Sequence, residues 1–278
     1  MDLNNDGHAD ILSGSYSRME QSMAGLFQVL WGGAGGFKQA AVLKGTDGEP
    51  LIIPIKGRES QTENICTRPT AVDWNGDGKL DLVVGNFAGS FYLFTGEGGG
   101  KFNPKPQPVL AGSQPLKLQG HHSDPFMADW DGDGDLDLLS GSAEGSVHWA
   151  ENVAGKGKPV QLKAFATLIP AGSGVRDGLV SENDLTGPAS STRVWAEDVN
   201  GDGKLDILVG DSVTLVSLAK GISKEEFAKR HAKWRAELQA ATESLRNGDS
   251  KRYSEIYQRR TEFMVEDQTG YVWLYLRK

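Results

Sequence analysis

The sequence predicts an all-β fold made of repeated four-stranded units, with a helical hairpin inserted in the last unit. Three observations support this prediction. One nine-residue acidic pattern, D-x-[DN]-x-D-G-x-[LA]-D, occurs four times in the 278 residues. Its first Asp falls at positions 2, 73, 129 and 198, and repeats at such intervals indicate a repeat architecture. The chain also contains 36 glycines and many short apolar runs, which are typical of turn-rich β proteins.

Each acidic loop carries oxygen-bearing side chains at positions 1, 3, 5 and 9 around a glycine that permits a tight turn. Calcium binds six to eight oxygens at about 2.3–2.6 Å, so oxygen ligands that alternate around a turn suit this ion. We therefore predict about four Ca²⁺ sites. The candidate side chains are Asp2, Asn4, Asp6, Asp10, Asp73, Asn75, Asp77, Asp81, Asp129, Asp131, Asp133, Asp137, Asp198, Asn200, Asp202 and Asp206, with Asp135 as an extra acid in the third loop.

Two other types of loop share parts of this pattern, the EF-hand and the structural Asx turn. An EF-hand needs a bidentate Glu at position 12 between two helices, but position 12 is Ser13, Val84, Ser140 or Val209, and the downstream flanks read as strands. The ninth residue is therefore expected to close each metal site. A structural Asx turn without metal is the remaining alternative, although such turns do not require several carboxylates that repel one another.

The elements around each loop recur in phase. Short apolar runs precede the last three loops, and each loop is followed by an apolar run that ends in glycine (ILSG, LVVG, LLSG or ILVG). A third strand begins behind another glycine, at 25–31, 89–94, 145–149 and 270–275, and fourth segments occur at 36–43 and 160–169. Strand, acidic loop and three further strands make up one blade of a β-propeller.

The signature D-x-N-G-D-G-x-x-D-[LI]-x-x-G resembles the FG-GAP/VCBS repeat of integrin α subunits and of many secreted bacterial proteins. The resemblance covers residues 2–218 and 266–278. It implies a calcium-binding β-propeller over residues 1–278 and an extracellular, periplasmic or cell-surface location. It also implies that the carbonyl of position 7 is a calcium ligand, which here belongs to His8, Lys79, Asp135 or Lys204.

A helical arm is predicted at about 222–264, inside the last blade. Ser223-Lys224-Glu225-Glu226 forms a capping box, and apolar residues follow with helical spacing from Phe227 to Leu245. Asn247-Gly248 ends this helix, and a second helix carries Tyr253, Ile256, Tyr257, Phe263 and Met264. The stripe is expected mainly to join the two helices, with partner binding or oligomerisation as the alternative.

Charge and composition limit the functional classes. The formal net charge is −8, and the four loops alone hold 14 Asp, so four calcium ions would bring the protein near neutrality. Nothing in this charge distribution suggests a nucleic-acid partner. Cys66 is the single cysteine, no secretory signal is recognised, and no apolar run reaches the ~18 residues of a membrane span.

A ligand face is expected opposite the calcium loops, a placement that the family resemblance implies. Its candidate residues are Asn64, Arg68, His121, His122, Asp124 and Arg193. No common catalytic motif occurs, although His121 and Asp124 are a candidate acid–base pair. The favoured function is a calcium-stabilised, non-catalytic binding module for glycans or proteins. The alternatives are a propeller enzyme of the polysaccharide lyase or dehydratase type, and an assembly protein that associates through the helical arm or open blade edges.

Overall fold

The computed structural model describes residues 1–16, 23–55, 57, 62–172, 178–246 and 250–278, with backbone alone at 243–246. It is mostly β, with two helices. The strands are β1 (Ile11–Ser13), β2 (Gln28–Leu30), β3 (Ala41–Val42), β4 (Arg68–Val72), β5 (Asp81–Gly85), β6 (Phe91–Phe94), β7 (Gly96–Gly98), β8 (Lys101–Phe102), β9 (Gln107–Pro108), β10 (Leu110–Ala111), β11 (Gln114–Pro115), β12 (Asp124–Ala128), β13 (Asp137–Gly141), β14 (Val147–Ala150), β15 (Ala166–Ile169), β16 (Arg193–Glu197), β17 (Asp206–Gly210), β18 (Val213–Leu218), β19 (Met264–Thr269) and β20 (Val272–Tyr275). The helices are α1 (Lys224–Arg246) and α2 (Ser250–Gln258).

Four antiparallel sheets follow one another along the chain, each built around one acidic loop. The first sheet has the order β1-β2-β3, the second β4-β5-β6-β9, the third β12-β13-β14-β15 and the fourth β16-β17-β20. In the last three sheets the acidic loop joins the first strand to the second, with Val72 opposite Asp81, Ala128 opposite Asp137 and Glu197 opposite Asp206. The predicted four-stranded unit is therefore present in the second and third sheets, whereas the first and fourth sheets have three strands each among the described residues. The closed propeller remains a prediction.

Three apolar cores lie between successive sheets, because successive residues of a strand point to opposite faces and the facing sides of neighbouring sheets are apolar. The core between the first and second sheets contains Phe27 and Phe94, whose rings meet edge to face at 5.7 Å. Trp74 and Leu138 lie in the second core, and Trp130 and Ile207 lie in the third. The four sheets therefore stack on one another in the order in which they occur along the chain.

A repeated hydroxyl contact joins neighbouring sheets. The side-chain oxygens of Thr67, Ser123 and Thr192, each one residue before a first strand, accept hydrogen bonds from the backbone N–H of the preceding sheet. Those donors follow the last glycine of the second strand. A Cβ added to Gly141 would lie 2.0 Å from the Thr192 carbonyl oxygen, and a Cβ added to Gly85 would lie 2.3 Å from the Ser123 carbonyl oxygen. Glycine is therefore required where the next sheet approaches the backbone.

The helical arm differs from its predicted extent. It stands on an antiparallel ribbon of β18 and β19, with Val213 opposite Thr269 and Leu218 opposite Met264. The prediction that Phe263 and Met264 belong to the second helix is wrong, because α2 ends at Gln258, a 3₁₀ turn spans Arg259–Glu262 and Met264 begins β19. Both residues instead pack with Phe227 at the base of the arm.

The two helices of the arm contact each other through Trp234, whose indole N–H donates to the Ile256 carbonyl at 2.8 Å. The predicted turn at Asn247-Gly248 lies outside the described residues, as do the side chains of 243–246. No helix within the described ranges combines the length and the apolar character that crossing a bilayer would require.

Candidate calcium-binding loops and the opposite polar cluster

The four acidic loops have nearly the same conformation. The position-1 carboxylate accepts backbone N–H groups from the following turn; for Asp73 these come from Asp77 at 3.0 Å and Gly78 at 2.9 Å. Position 3 accepts the N–H of position 5, and position 5 accepts the N–H of position 7. The glycine at position 6 has a positive φ in every copy, +82° at Gly78, which favours glycine there.

The third loop gathers the most negative charge. Oxygen atoms of Asp129, Asp131 and Asp133 lie within 4.8 Å of one another, and among the described residues this is the group of acidic side chains close enough to share a metal ion. Partial burial, and then the neighbouring carboxylates, raise the pKa of Asp135. One of its oxygens, Oδ1, is buried and has no hydrogen-bond partner among the described residues. Carboxylates held this close repel one another unless a cation neutralises them.

The first, second and fourth loops carry Asn at position 3, and in the first and fourth the Asn amide donates to the carboxylate at position 5. The Asn4 amide donates to the Asp6 carboxylate at 3.1 Å, and the Asn200 amide donates to Asp202 at 3.2 Å. These donors reduce the repulsion that the third loop retains. The donor set nevertheless consists of oxygens at positions 1, 3 and 5 in all four loops, which suits a hard cation such as calcium.

The position-9 carboxylates lie beneath the loops and are buried, with no exposure at Asp81, Asp137 or Asp206. Both oxygens of each accept backbone N–H groups. One bond comes from position 2 of the same loop, and the other from the end of the third strand; for Asp137 these are Trp130 at 3.0 Å and Asn152 at 2.7 Å. The same two bonds occur at Asp10, Asp81 and Asp206.

These bonds give position 9 a structural role that sequence reasoning missed. The carboxylate ties the loop to the strand two elements further along the chain, so it organises the loop whether or not it also contacts an ion. Burial raises the pKa of Asp81 and of Asp137, against the effect of these backbone hydrogen bonds. That position 9 also closes the metal site stays a prediction.

A second group of polar residues lies at the other end of the first strands. Arg68, Asp124 and Arg193 are the first residues of β4, β12 and β16, and Arg193 Nη1 lies 2.9 Å from Asp124 Oδ2. His121 and His122 flank Phe87, with ring centroids 5.1 and 4.8 Å away. We refer to Arg68, His121, His122, Asp124 and Arg193 as the polar cluster.

The polar cluster is electrostatically unusual. Arg68 Nη1 and both ring nitrogens of His122 are buried without hydrogen-bond partners among the described residues. Burial lowers the pKa of His122, and the positive charges of Arg68, His121 and Arg193 lower it further. Burial raises the pKa of Asp124, an effect that Arg193 and Arg68 oppose. Asp124 pairs with Arg193, so its carboxylate is engaged by an arginine rather than kept free for acid–base chemistry with His121.

One further candidate, Asn64, lies in the adjoining segment. Its side chain is buried, and Oδ1 has no partner among the described residues. The neighbouring backbone joins this segment to the cluster, because Phe87 N–H donates to the Ile65 carbonyl and His122 N–H donates to the Phe87 carbonyl. Cys66, His122 and Ser191 occupy equivalent positions before the three first strands, and all three have positive φ, between 51° and 61°.

The comparison with protein families identifies the repeats. The family model described as FG-GAP-like repeat matches residues 73–140 and 129–209, and these matches contain the second, third and fourth acidic loops. Residues 73–209 therefore carry FG-GAP-like repeats. Curated proteins contain no significant match to the sequence.

The chain also matches solved structures, among them one described as showing specific recognition of non-reducing terminal N-acetylglucosamine by an Agrocybe aegerita lectin. That similarity has 20% identity and a TM-score of 0.37, and it covers 75% of this chain. The chain spans 58% of the length of the lectin chain. A similarity this low carries no conclusion about the ligand.

Proposed function

We propose that this chain is a calcium-stabilised β-propeller that acts as an extracellular binding module for a glycan or protein. The observation that carries the proposal is the convergence of Asp129, Asp131 and Asp133 in a loop conformation that recurs four times. Three carboxylates within 4.8 Å are stable together when a cation neutralises them.

Positions 1, 3 and 5 of each loop would supply side-chain oxygens to calcium, and the carbonyl of position 7 would add another ligand. The bound ion supplies positive charge where the loop concentrates negative charge. The loop's own hydrogen bonds prearrange the oxygens, and position 9 fixes the loop to the sheet. Extracellular modules bind calcium at about 10⁻⁴–10⁻³ M, so weak surface loops of this kind suit a calcium-rich compartment.

Two features support the propeller and its ligand face. Successive sheets pack face to face through repeated cores, and strand β1 contacts β4, β4 contacts β12, and β12 contacts β16. The polar cluster lies at the starts of three of these strands, so residues from different repeats meet there. The exposed side chains of Arg193 and His121 can hydrogen-bond hydroxyls, and the rings of Phe87 and His121 can stack on a sugar or aromatic ring. This is the chemistry we assign to the ligand.

Thermal unfolding in millimolar calcium and in EDTA tests the metal proposal, together with native mass spectrometry to count bound ions. At ten times the dissociation constant each ion adds about 1.4 kcal/mol to the free energy of unfolding, so four ions add on the order of 5–6 kcal/mol. We expect a large calcium-dependent rise in Tm and about four ions per chain. Equal Tm values with no bound metal would leave the loops as plain turns.

Glycan arrays in calcium, with titration of any hit, test the ligand face separately. Arg193→Ala removes the exposed guanidinium of the polar cluster and is expected to lower affinity for the hit. The matched control is Lys163→Ala, which removes the exposed cation paired with Glu151 at 2.8 Å on another part of the surface. Equal affinity of both variants for the ligand would show that binding occurs elsewhere.

A further inference from the structure

The three interfaces between successive sheets use the same positions of the repeat. Two apolar residues of each repeat are buried on the face turned to the next sheet. One is position 2 of the acidic loop, and the other is the first apolar residue in or just before the third strand. These residues are Leu3 and Phe27 in the first sheet, Trp74 and Phe91 in the second, and Trp130 and Val147 in the third. We call this side of a sheet its following face.

The following face of the fourth sheet has the same apolar pattern but is exposed. Val199 occupies position 2 of its loop, and Val272 occupies the third-strand position; they are 48% and 71% exposed. Leu274, two residues further along β20, is 49% exposed. Val272 and Leu274 lie opposite Gly210 and Leu208 in the register, so they share one side of the sheet with Leu208.

The surroundings of Gly210 also show that no neighbouring sheet among the described residues covers this face. Its equivalents Gly14, Gly85 and Gly141 are glycines because a carbonyl oxygen of the next sheet would lie 1.7–2.3 Å from an added Cβ. At Gly210 the nearest atom to an added Cβ is Arg193 Cβ at 3.8 Å, within its own sheet. The described structure therefore contains no close approach that requires glycine here, although the position would allow another backbone to come near.

On the first sheet, no other sheet of the described residues covers the complementary face. In the other sheets the residue directly after the acidic loop, Leu82, Leu138 or Ile207, is buried against the preceding sheet. Ile11 occupies this position in the first sheet and is 46% exposed. Leu30 lies opposite Ile11 in the register and shares its side of the sheet. We call this side the preceding face.

We propose that the following face of the fourth sheet binds the preceding face of the first sheet of a second copy of this chain. Inside the chain, each following face meets a preceding face, so a head-to-tail contact between copies repeats an interface that the protein already makes three times. Such contacts are heterologous and form a closed ring where the rotation permits. Two copies would bring together eight sheets, within the range of four to about eight blades in known propellers. This inference does not depend on calcium or on the ligand face.

The oligomeric mass of the whole chain tests the proposal. Light scattering coupled to size-exclusion chromatography should give twice the 30.0 kDa chain mass across a wide concentration range. Leu274→Glu in the following face, or Ile11→Glu in the preceding face, should each halve that mass, because a charge would be buried in the contact. The matched control Val265→Asp changes an exposed apolar strand residue outside both faces and should leave the mass unchanged.

Mixing the two single variants tests the head-to-tail arrangement and shows that both variants fold. Each variant retains one intact face, so an equimolar mixture should regain association through a single wild-type contact. A wild-type protein that is monomeric at high concentration would overturn the proposal. A dimer that persists in Ile11→Glu but is lost in Leu274→Glu would overturn it as well, since following faces would then pair with each other.

Discussion

At the scale of single residues, Asp133 and Asp137 show two different uses of an acidic side chain in one loop. Asp133 is exposed and belongs to the three-carboxylate group, whereas Asp137 is buried with both oxygens bonded to backbone N–H groups. Their spacing in the sequence suggested one shared role in binding metal. The distinction depends on Asn152, 15 residues after Asp137, which is brought close by the pairing of β13 with β14. No local pattern contains that contact.

We predict that Asp137→Asn lowers the free energy of unfolding by about 1–3 kcal/mol in both calcium and EDTA. The amide replaces one acceptor oxygen by a donor that faces a buried N–H group. Asp133→Asn should instead lower stability in calcium and leave it unchanged or slightly higher in EDTA, because one repelling charge is removed. Urea denaturation in both buffers measures the difference. Loss of stability in calcium alone for Asp137→Asn would show that its main partner is the ion.

A residue-scale pH dependence follows from His122. Its pKa in the folded protein is lowered from the ordinary 6.5 by burial and by Arg68, His121 and Arg193, while Glu144 acts in the opposite direction. As pH falls below about 6.5, the unfolded chain binds the proton first, so this contribution to stability is full above that pH and is lost as pH falls through the folded pKa. We expect Tm in EDTA to decrease on acidification in this window.

His122→Asn should reduce that slope, because asparagine tolerates the positive φ of 61° and has no proton to bind. His121→Asn, in the same turn but on an exposed residue, is the control and should keep most of the wild-type slope. An identical slope in His122→Asn and wild type would place the titration at another group.

At the scale of elements, the features that recur in every repeat were the ones predicted correctly from the sequence. The loops, the strand after each loop and the third strand were all predicted, because glycine, aspartate and β-branched residues mark them locally. The fourth strands were less well predicted: β3 covers Ala41–Val42 and β15 covers Ala166–Ile169, parts of the segments expected. The β18–β19 ribbon was missed, because the helical stripe between its strands dominated the interpretation of that insertion.

The contact between sheets gives an element-scale prediction with a matched control. Gly141→Ala should destabilise the protein by about 1–3 kcal/mol, because the new methyl group collides with the Thr192 carbonyl and forces the third and fourth sheets apart. Gly210→Ala occupies the equivalent position of the fourth sheet, where the nearest atom is 3.8 Å away, and should change stability little at low protein concentration. Chemical denaturation measures both. Equal losses would mean that glycine is needed for the strand itself.

At the scale of the whole molecule, the sequence predicted the repeat architecture, and the family resemblance implied a ligand face opposite the acidic loops, but the ion pair within that face was not predicted. The first residues of β4, β12 and β16 meet at the polar cluster, so the acidic loops that follow these strands lie together at the opposite end. Neighbouring loops line shared clefts, as Asp73 and Asn75 do with Gly134 and Asp135. The Arg193–Asp124 pair joins the third and fourth sheets, and neither partner lies in a recognisable motif.

We expect this arrangement to make the stability of the protein depend on ionic strength. The four loops hold 14 Asp in a chain of net charge −8, and they are concentrated at one end of the sheets. In EDTA, added NaCl should raise Tm, because the Debye length falls to about 10 Å at 0.1 M salt and repulsion between exposed carboxylates is screened. In saturating calcium the bound ions already neutralise the loops, so the same salt addition should raise Tm much less. Asp131→Asn combined with Asp133→Asn is the control in EDTA, and its salt response should be smaller than that of the wild type. Equal salt responses in calcium and EDTA would show that loop repulsion does not limit stability, and that the loops' backbone hydrogen bonds alone hold this end of the molecule together.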